Sequence, residues 1–185
     1  MSRYVCGVDP GKTGAVALLS LKDNSLRFIR IPLTGTEIDV PALIHDLRQV
    51  APHIERCVME EVHAIFGSSA KSTFQFGRVN GLIEGALHAA GIPFTKVQPK
   101  MWQKVAWKGV EVTKTPTKRV SKKTGEIIGK VDTKATSLRA ARALFPGETF
   151  LATPRSTVPH DGRYDSALIA WYAKSTLPTG SKGFT

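Results

Sequence analysis

Apolar residues open the chain in three short runs, Tyr4 to Val8, Ala15 to Ser20 and Leu26 to Ile31, parted by the turn-rich segments DPGKTG and KDNS. Links this short predict an antiparallel meander of three strands. The period then changes. Asp39 and Pro41 supply a helix start, and Leu43, Ile44, Leu47, Val50 and Ala51 follow at i, i+3, i+4 spacing, which marks one apolar helix face. Arg56 to Glu60 is a short apolar run ending in acid, as a buried strand that presents its last residue at a sheet edge would be. Further on, the pattern predicts a helix from about Ser72 to Ala90, a strand from Pro93 to Val97 and a short helix from Met101 to Ala106. A helix from about Thr133 to Phe145 is stopped by Pro146 and Gly147, and the last runs from about Asp161 to Lys174. The expected architecture is α/β: a mixed five-stranded sheet, three strands antiparallel and two parallel, flanked by helices. It fills one domain over 1–177, with a fraying tail at 178–185.

Two segments depart from this pattern. Within the helix at 72–90, Gly77, Gly81, Gly85 and Ala89 recur every fourth residue. A helical glycine costs about 1 kcal/mol relative to alanine, so a row of them needs a close approach by another backbone, either within this chain or in a second copy. The second segment, 107–131, carries Lys108, Lys114, Lys118, Arg119, Lys122, Lys123 and Lys130 against Glu111 and Glu126, with few large apolar residues. It reads as an exposed excursion, a hairpin turning at Lys123, Thr124 and Gly125. It can lie along phosphates or serve as a solvated loop.

Charge sharpens that choice. The 185 residues carry 26 Lys and Arg against 15 Asp and Glu, a formal net charge of +11, which favours a polyanionic partner, nucleic acid ahead of an anionic membrane surface. No apolar run approaches the roughly 20 residues of a membrane span, and the amino terminus lacks a signal-peptide pattern; an intracellular, cytoplasmic protein is expected. Cys6 and Cys57 are too few for a disulfide framework or a cysteine zinc site and are expected to be reduced, buried and inert.

Against this basic background, four acids stand at element ends: Asp9, Glu60, Asp161 and Asp165. Cys6 precedes Asp9 by three residues, as Cys57 precedes Glu60. If the two strands are parallel neighbours in register, both acids share one face and both cysteines the other. Glu61 is the alternative to Glu60. Asp161 and Asp165, four apart on a helix, project about 40° from each other, although Asp161 can equally be a helix cap. Asp9 can favour a turn, Asp165 can be a solvated charge, and His160 can be a hydrogen bonder, a metal ligand or a proton carrier. Converging carboxylates repel one another unless hard divalent cations such as Mg2+ or Mn2+ accept their oxygens.

In their order, these elements and acids resemble the RuvC family of Holliday junction resolvases, within the ribonuclease H-like superfamily. VCGVDPGKTGAVAL is similar to the family's first motif and CVMEEVHAIFG to its second. The helix with FGRVNGLIEGAL, the segment IPFTKVQPKMWQK, the helix DTKATSLRAARALF and the terminal HDGRYDSALIAW follow in the family's order. The resemblance implies a metal-dependent nuclease cutting four-way DNA junctions by paired symmetric nicks that leave 5′ phosphates. Two Mg2+ ions, replaceable by Mn2+, would be held by Asp9, Glu60, Asp161 and Asp165, with Lys134 a catalytic-support or DNA-facing lysine. It implies a homodimer, with the helix at 72–90 as candidate interface. Phe66 is a candidate wedge against unstacked bases, Phe74 and Phe76 either wedges or core. Lys71, Arg78, Lys114, Lys118, Arg119, Lys122 and Lys123 join Lys134 as candidate DNA contacts.

The chain also departs from the family. Bacterial members space the last two ligands three apart, whereas here the spacing is four and position 162 is glycine. The basic stretch is longer than the bacterial connection and closer to bacteriophage RuvC-like proteins, consistent with a phage protein acting in a bacterial host. A broader branched-DNA or structured-RNA nuclease and a non-cleaving junction binder stand as alternatives. Actin-like ATPases, which need two such domains, do not fit this length.

Overall fold

Tyr4–Asp9 (β1) is the central strand of a five-stranded sheet in the computed structural model, which describes residues 3–62, 69–120 and 127–178. On one side β1 pairs antiparallel with Ala15–Ser20 (β2), itself paired with Leu26–Arg30 (β3). Two tiny strands, Leu33–Thr34 (β4) and Glu37–Ile38 (β5), form a hairpin ahead of the helix Val40–Val50 (α1). Asp39 caps α1 by accepting from the Ala42 backbone N–H at 3.1 Å. The chain returns to the other side of β1 as Ile54–Glu60 (β6), parallel to it, and Phe94–Val97 (β7) adds a further parallel strand at that edge. The sheet order is β3-β2-β1-β6-β7, with the expected antiparallel meander of three strands and two parallel strands.

Alternation along the strands splits the core in two. On one face Cys6, Val8, Val16, Leu18, Cys57 and Met59 pack against α1 and the long helix Ala70–Ala89 (α2), which contributes Val79, Ile83, Ala86 and Leu87. Cys6 stands opposite Cys57 in the parallel register. Both thiols are free and buried, and a hydrogen bond with Cys57 together with burial pushes the Cys6 thiol well above its ordinary value, which makes Cys6 a poor nucleophile. On the other face Val5, Ala17, Leu19 and Val58 meet Pro99–Ala106 (α3), Thr133–Leu144 (α4) and Asp161–Ser175 (α5).

Helix α5 crosses β1 at backbone contact. A Cβ on Gly7 would sit 2.2 Å from both Ala170 N and Ser166 O, so only glycine admits the helix this close. The loop before α5 is pinned as well. Phe150 is buried among Phe145, Phe28 and Tyr164, and its carbonyl accepts the His160 backbone N–H at 2.9 Å. Between α3 and α4 the basic excursion forms the antiparallel hairpin Lys114–Val120 (β8) and Ile127–Val131 (β9). Its predicted turn, and all of the predicted tail but Pro178, lie outside the described residues.

Candidate active site

Asp9 ends β1 and Glu60 ends β6, one step beyond the paired Val8 and Met59, so the two acids stand together at one sheet edge. Their side chains fall on the face covered by α5, opposite the cysteines, as the matched spacing requires. Helix α5 brings Asp161 as its first residue and Asp165 one turn later. The close approach at Gly7 is repeated at the helix start, where a Cβ on Gly162 would come 2.3 Å from Thr13 O and 2.7 Å from Gly14 Cα. Glycine at 162 is therefore what lets α5 dock its first turn on the DPGKTG loop.

The four carboxylates feel one another. Burial pushes the Asp9 carboxyl well above the usual range; the charges of Asp165, Glu60 and Asp161 add to the rise, and Lys134 pulls it back. Asp165 is raised to about 7, chiefly by burial, with Ser137 lowering it through a hydrogen bond and Glu60 and Asp161 raising it. Glu60 is raised by burial and moderated by Trp102, whose indole N–H donates to Glu60 Oε1 at 2.9 Å. For Asp161 burial pushes upward, but the Lys134 hydrogen bond and charge, the Gly162 N–H and His160 outweigh it, so its carboxyl is lowered. Lys134 Nζ lies 2.8 Å from Asp161 Oδ2 and is raised by that contact.

Among the described residues no three His, Cys, Asp or Glu side chains are already arranged to hold a metal ion. The donors nonetheless suit one. They are all hard oxygens, three of the four carboxyls are forced toward their protonated forms, and Asp165 Oδ1 is buried with no hydrogen-bond partner among the described residues. A divalent cation would relieve the repulsion and satisfy that oxygen.

Lys71 and Arg78 are exposed on α2, Arg78 ion-paired to Glu37. Lys114 is exposed on β8. The backbones of Lys118 and Arg119 lie in β8, while their side chains, and all of Lys122, Lys123 and Phe66, lie outside the described residues. Phe74 is 69% exposed on α2 and so is no part of the core. Gly77, Gly81 and Gly85 have nothing within 4 Å of an added Cβ among the described residues, so packing against those residues does not explain the glycine row.

Sequence reasoning missed Trp102 and Ser137. The segment QPKMWQK announced a helix, but only the tertiary placement of α3 aims the indole at Glu60. Ser137 had no signal beyond its place one turn after Lys134.

No protein-family model matches the sequence, and no curated protein matches it. Among solved structures the chain is similar to Thermus thermophilus RuvC in complex with a Holliday junction substrate, at 16% identity and a TM-score of 0.53 over 94% of this chain and 96% of that one. A second Thermus thermophilus RuvC structure matches at 18% identity and a TM-score of 0.52, over 93% and 96% of the two chains. This chain thus has a RuvC-like, ribonuclease H-like fold. Both structures are bacterial and lend the phage likeness no support.

Proposed function

We propose that this chain is a metal-dependent endonuclease of the RuvC type, resolving four-way DNA junctions by paired symmetric nicks. The convergence of Asp9, Glu60, Asp161 and Asp165 at one edge of this fold, in a chain of net charge +11, carries the reading. An acidic cluster repels a phosphate by itself; a basic molecule that keeps one has a use for it once cations are bound. The similar Thermus protein bound to a junction supports branched DNA as the substrate class.

Asp9, Glu60 and Asp165 would hold two Mg2+ or Mn2+ ions, with Asp161 completing their shells, and these ions would activate water and stabilise the leaving 3′ oxygen. The chain's own residues do the rest. Trp102 orients the Glu60 carboxylate, Ser137 orients Asp165, and Lys134 competes for Asp161 and offers its charge to the strand. Water adds to phosphorus as the bond to the 3′ oxygen breaks, leaving 5′-phosphate and 3′-hydroxyl ends. Lys71, Arg78 and the basic hairpin would follow the phosphates of the junction arms, with Phe66 against an unstacked base. Two symmetric nicks call for a homodimer, for which the open glycine row of α2 is the candidate face. Among the described residues no helix is long and apolar enough to cross a membrane, and a cytoplasmic site of action fits the substrate.

The test incubates the protein and its Asp9→Asn variant with a four-way DNA junction, a duplex and a hairpin RNA, with Mg2+ or chelator. Paired, Mg2+-dependent nicks in the junction alone, lost in the variant, are expected. Cutting of all three substrates would mean a broader nuclease, and tight junction binding without cleavage a binding protein.

A further inference from the structure

The β1–β2 loop serves more than Asp9. Beside it opens a cavity of about 190 Å3 whose polar lining is Lys12, Thr13, Arg30, His160 and Arg163, alongside apolar residues such as Ile31 and Leu33, with no carboxylate in its wall among the described residues. One water needs only about 10–15 Å3, so there is room for a tetrahedral oxyanion.

Two of its cations are held in place. Lys12 donates to the Thr36 carbonyl and lies 3.8 Å from Glu37, an acid that Arg78 also engages. Arg163 donates to the Leu151 carbonyl and stands 5.0 Å above the Phe28 ring. Arg30 is exposed on the edge strand β3, and its side chain makes no hydrogen bond or ion pair among the described residues. His160 has its Nδ1 buried without a hydrogen-bond partner among the described residues.

Position gives this cluster its meaning. His160 stands at the N-cap position of α5, without a side-chain capping hydrogen bond, and lines the cavity, whereas Asp161, the next residue, belongs to the carboxylate site. The two sites share one helix end and one loop. We propose that the cavity is a metal-independent site for one non-scissile backbone phosphate of the nucleic acid, contacted by Arg30 and His160, with Lys12 and Arg163 as fixed charges behind them. This rests on the nuclease reading. It adds an anchor that works before any cation binds, setting the strand's register on an edge that otherwise repels phosphate.

The test uses the Asp9→Asn protein in chelator, binding four-way and duplex DNA in which single phosphates are replaced, one position at a time, by neutral methylphosphonates. One position should weaken binding about tenfold, the scale of one charge-assisted hydrogen-bonded contact. Arg30→Gln should cost a similar factor on unmodified DNA and nothing further at that position. Either change should flatten the slope of log affinity against log salt by about 0.9, and together by no more. Arg30→Lys should recover part of the loss, separating lost contact from lost folding. Unchanged binding in Arg30→Gln, or losses that simply add at every position, would overturn the proposal and leave the nuclease reading standing. Failure to bind DNA at all would overturn both.

Discussion

Gly162, in the first turn of α5, lies against Gly14 of the β1–β2 loop so closely that a Cβ would stand 2.7 Å from Gly14 Cα and 2.3 Å from Thr13 O. The contact is backbone to backbone, so no side chain can yield. Gly162→Ala should therefore lift the first turn of α5, moving Asp161 and Asp165 relative to Asp9. A displacement near 1 Å can cost about a hundredfold in rate, and overpacking costs about 1–3 kcal/mol of stability. Nicking rates and thermal unfolding, measured together, should show activity lost well below the melting temperature. A variant that cuts normally would mean that the contact only joins helix to loop.

The Trp102 indole is the hydrogen-bond donor that steadies Glu60. Burial raises the Glu60 carboxyl, and the indole N–H pulls it back toward ionisation. In Trp102→Phe that pull is gone, so the carboxyl rises further and the acidic limb of the rate–pH profile should move to higher pH. At high pH, where Glu60 is ionised in either protein, the rate should recover most of its value. An unchanged profile with a uniformly lower rate would point to lost packing instead.

How far the site was legible in the sequence follows from these two contacts. Asp9 and Glu60 were readable because strand parity is a local rule: Cys6 and Cys57 fall opposite each other, and the acids three residues on must share the other face. Asp161 and Asp165 were readable from helix periodicity. Which acid stays free for a cation was not readable. That depends on α4 delivering Lys134 to Asp161, and on α3 delivering Trp102 to Glu60, and crossing positions are tertiary facts. Glycine at 162 looked like a departure from family spacing; only the docked helix shows it as a packing requirement.

Asp165 ties the site to stability. Its carboxyl titrates at about 7 when folded, mainly through burial, and near 3.9 when unfolded. The folded chain holds the proton more tightly, so this group's contribution is full below about pH 4 and is lost as pH rises through about 7. Asp165→Asn should therefore melt higher than the unaltered protein at about pH 8 in chelator, with the advantage shrinking toward about pH 4. Mg2+ should raise the melting temperature of the unaltered protein more than that of the variant. An advantage independent of pH would show that Asp165 is not the titrating group.

The glycine row of α2 separates folding from association. Gly81 has open space around a built Cβ among the described residues, so Gly81→Ala should stabilise the isolated chain by about 1 kcal/mol through helix propensity alone. Gly81→Leu should likewise leave the fold intact, because its side chain meets solvent. If a second copy covers this face, both gain bulk where backbones approach, and leucine should shift the population toward monomer in light scattering while the melting temperature of dilute protein holds or rises. Paired nicking of a junction should then give way to single, uncoordinated nicks. A dimer unchanged by leucine would remove α2 from the interface and leave the glycines as a cost to the helix with no return in association.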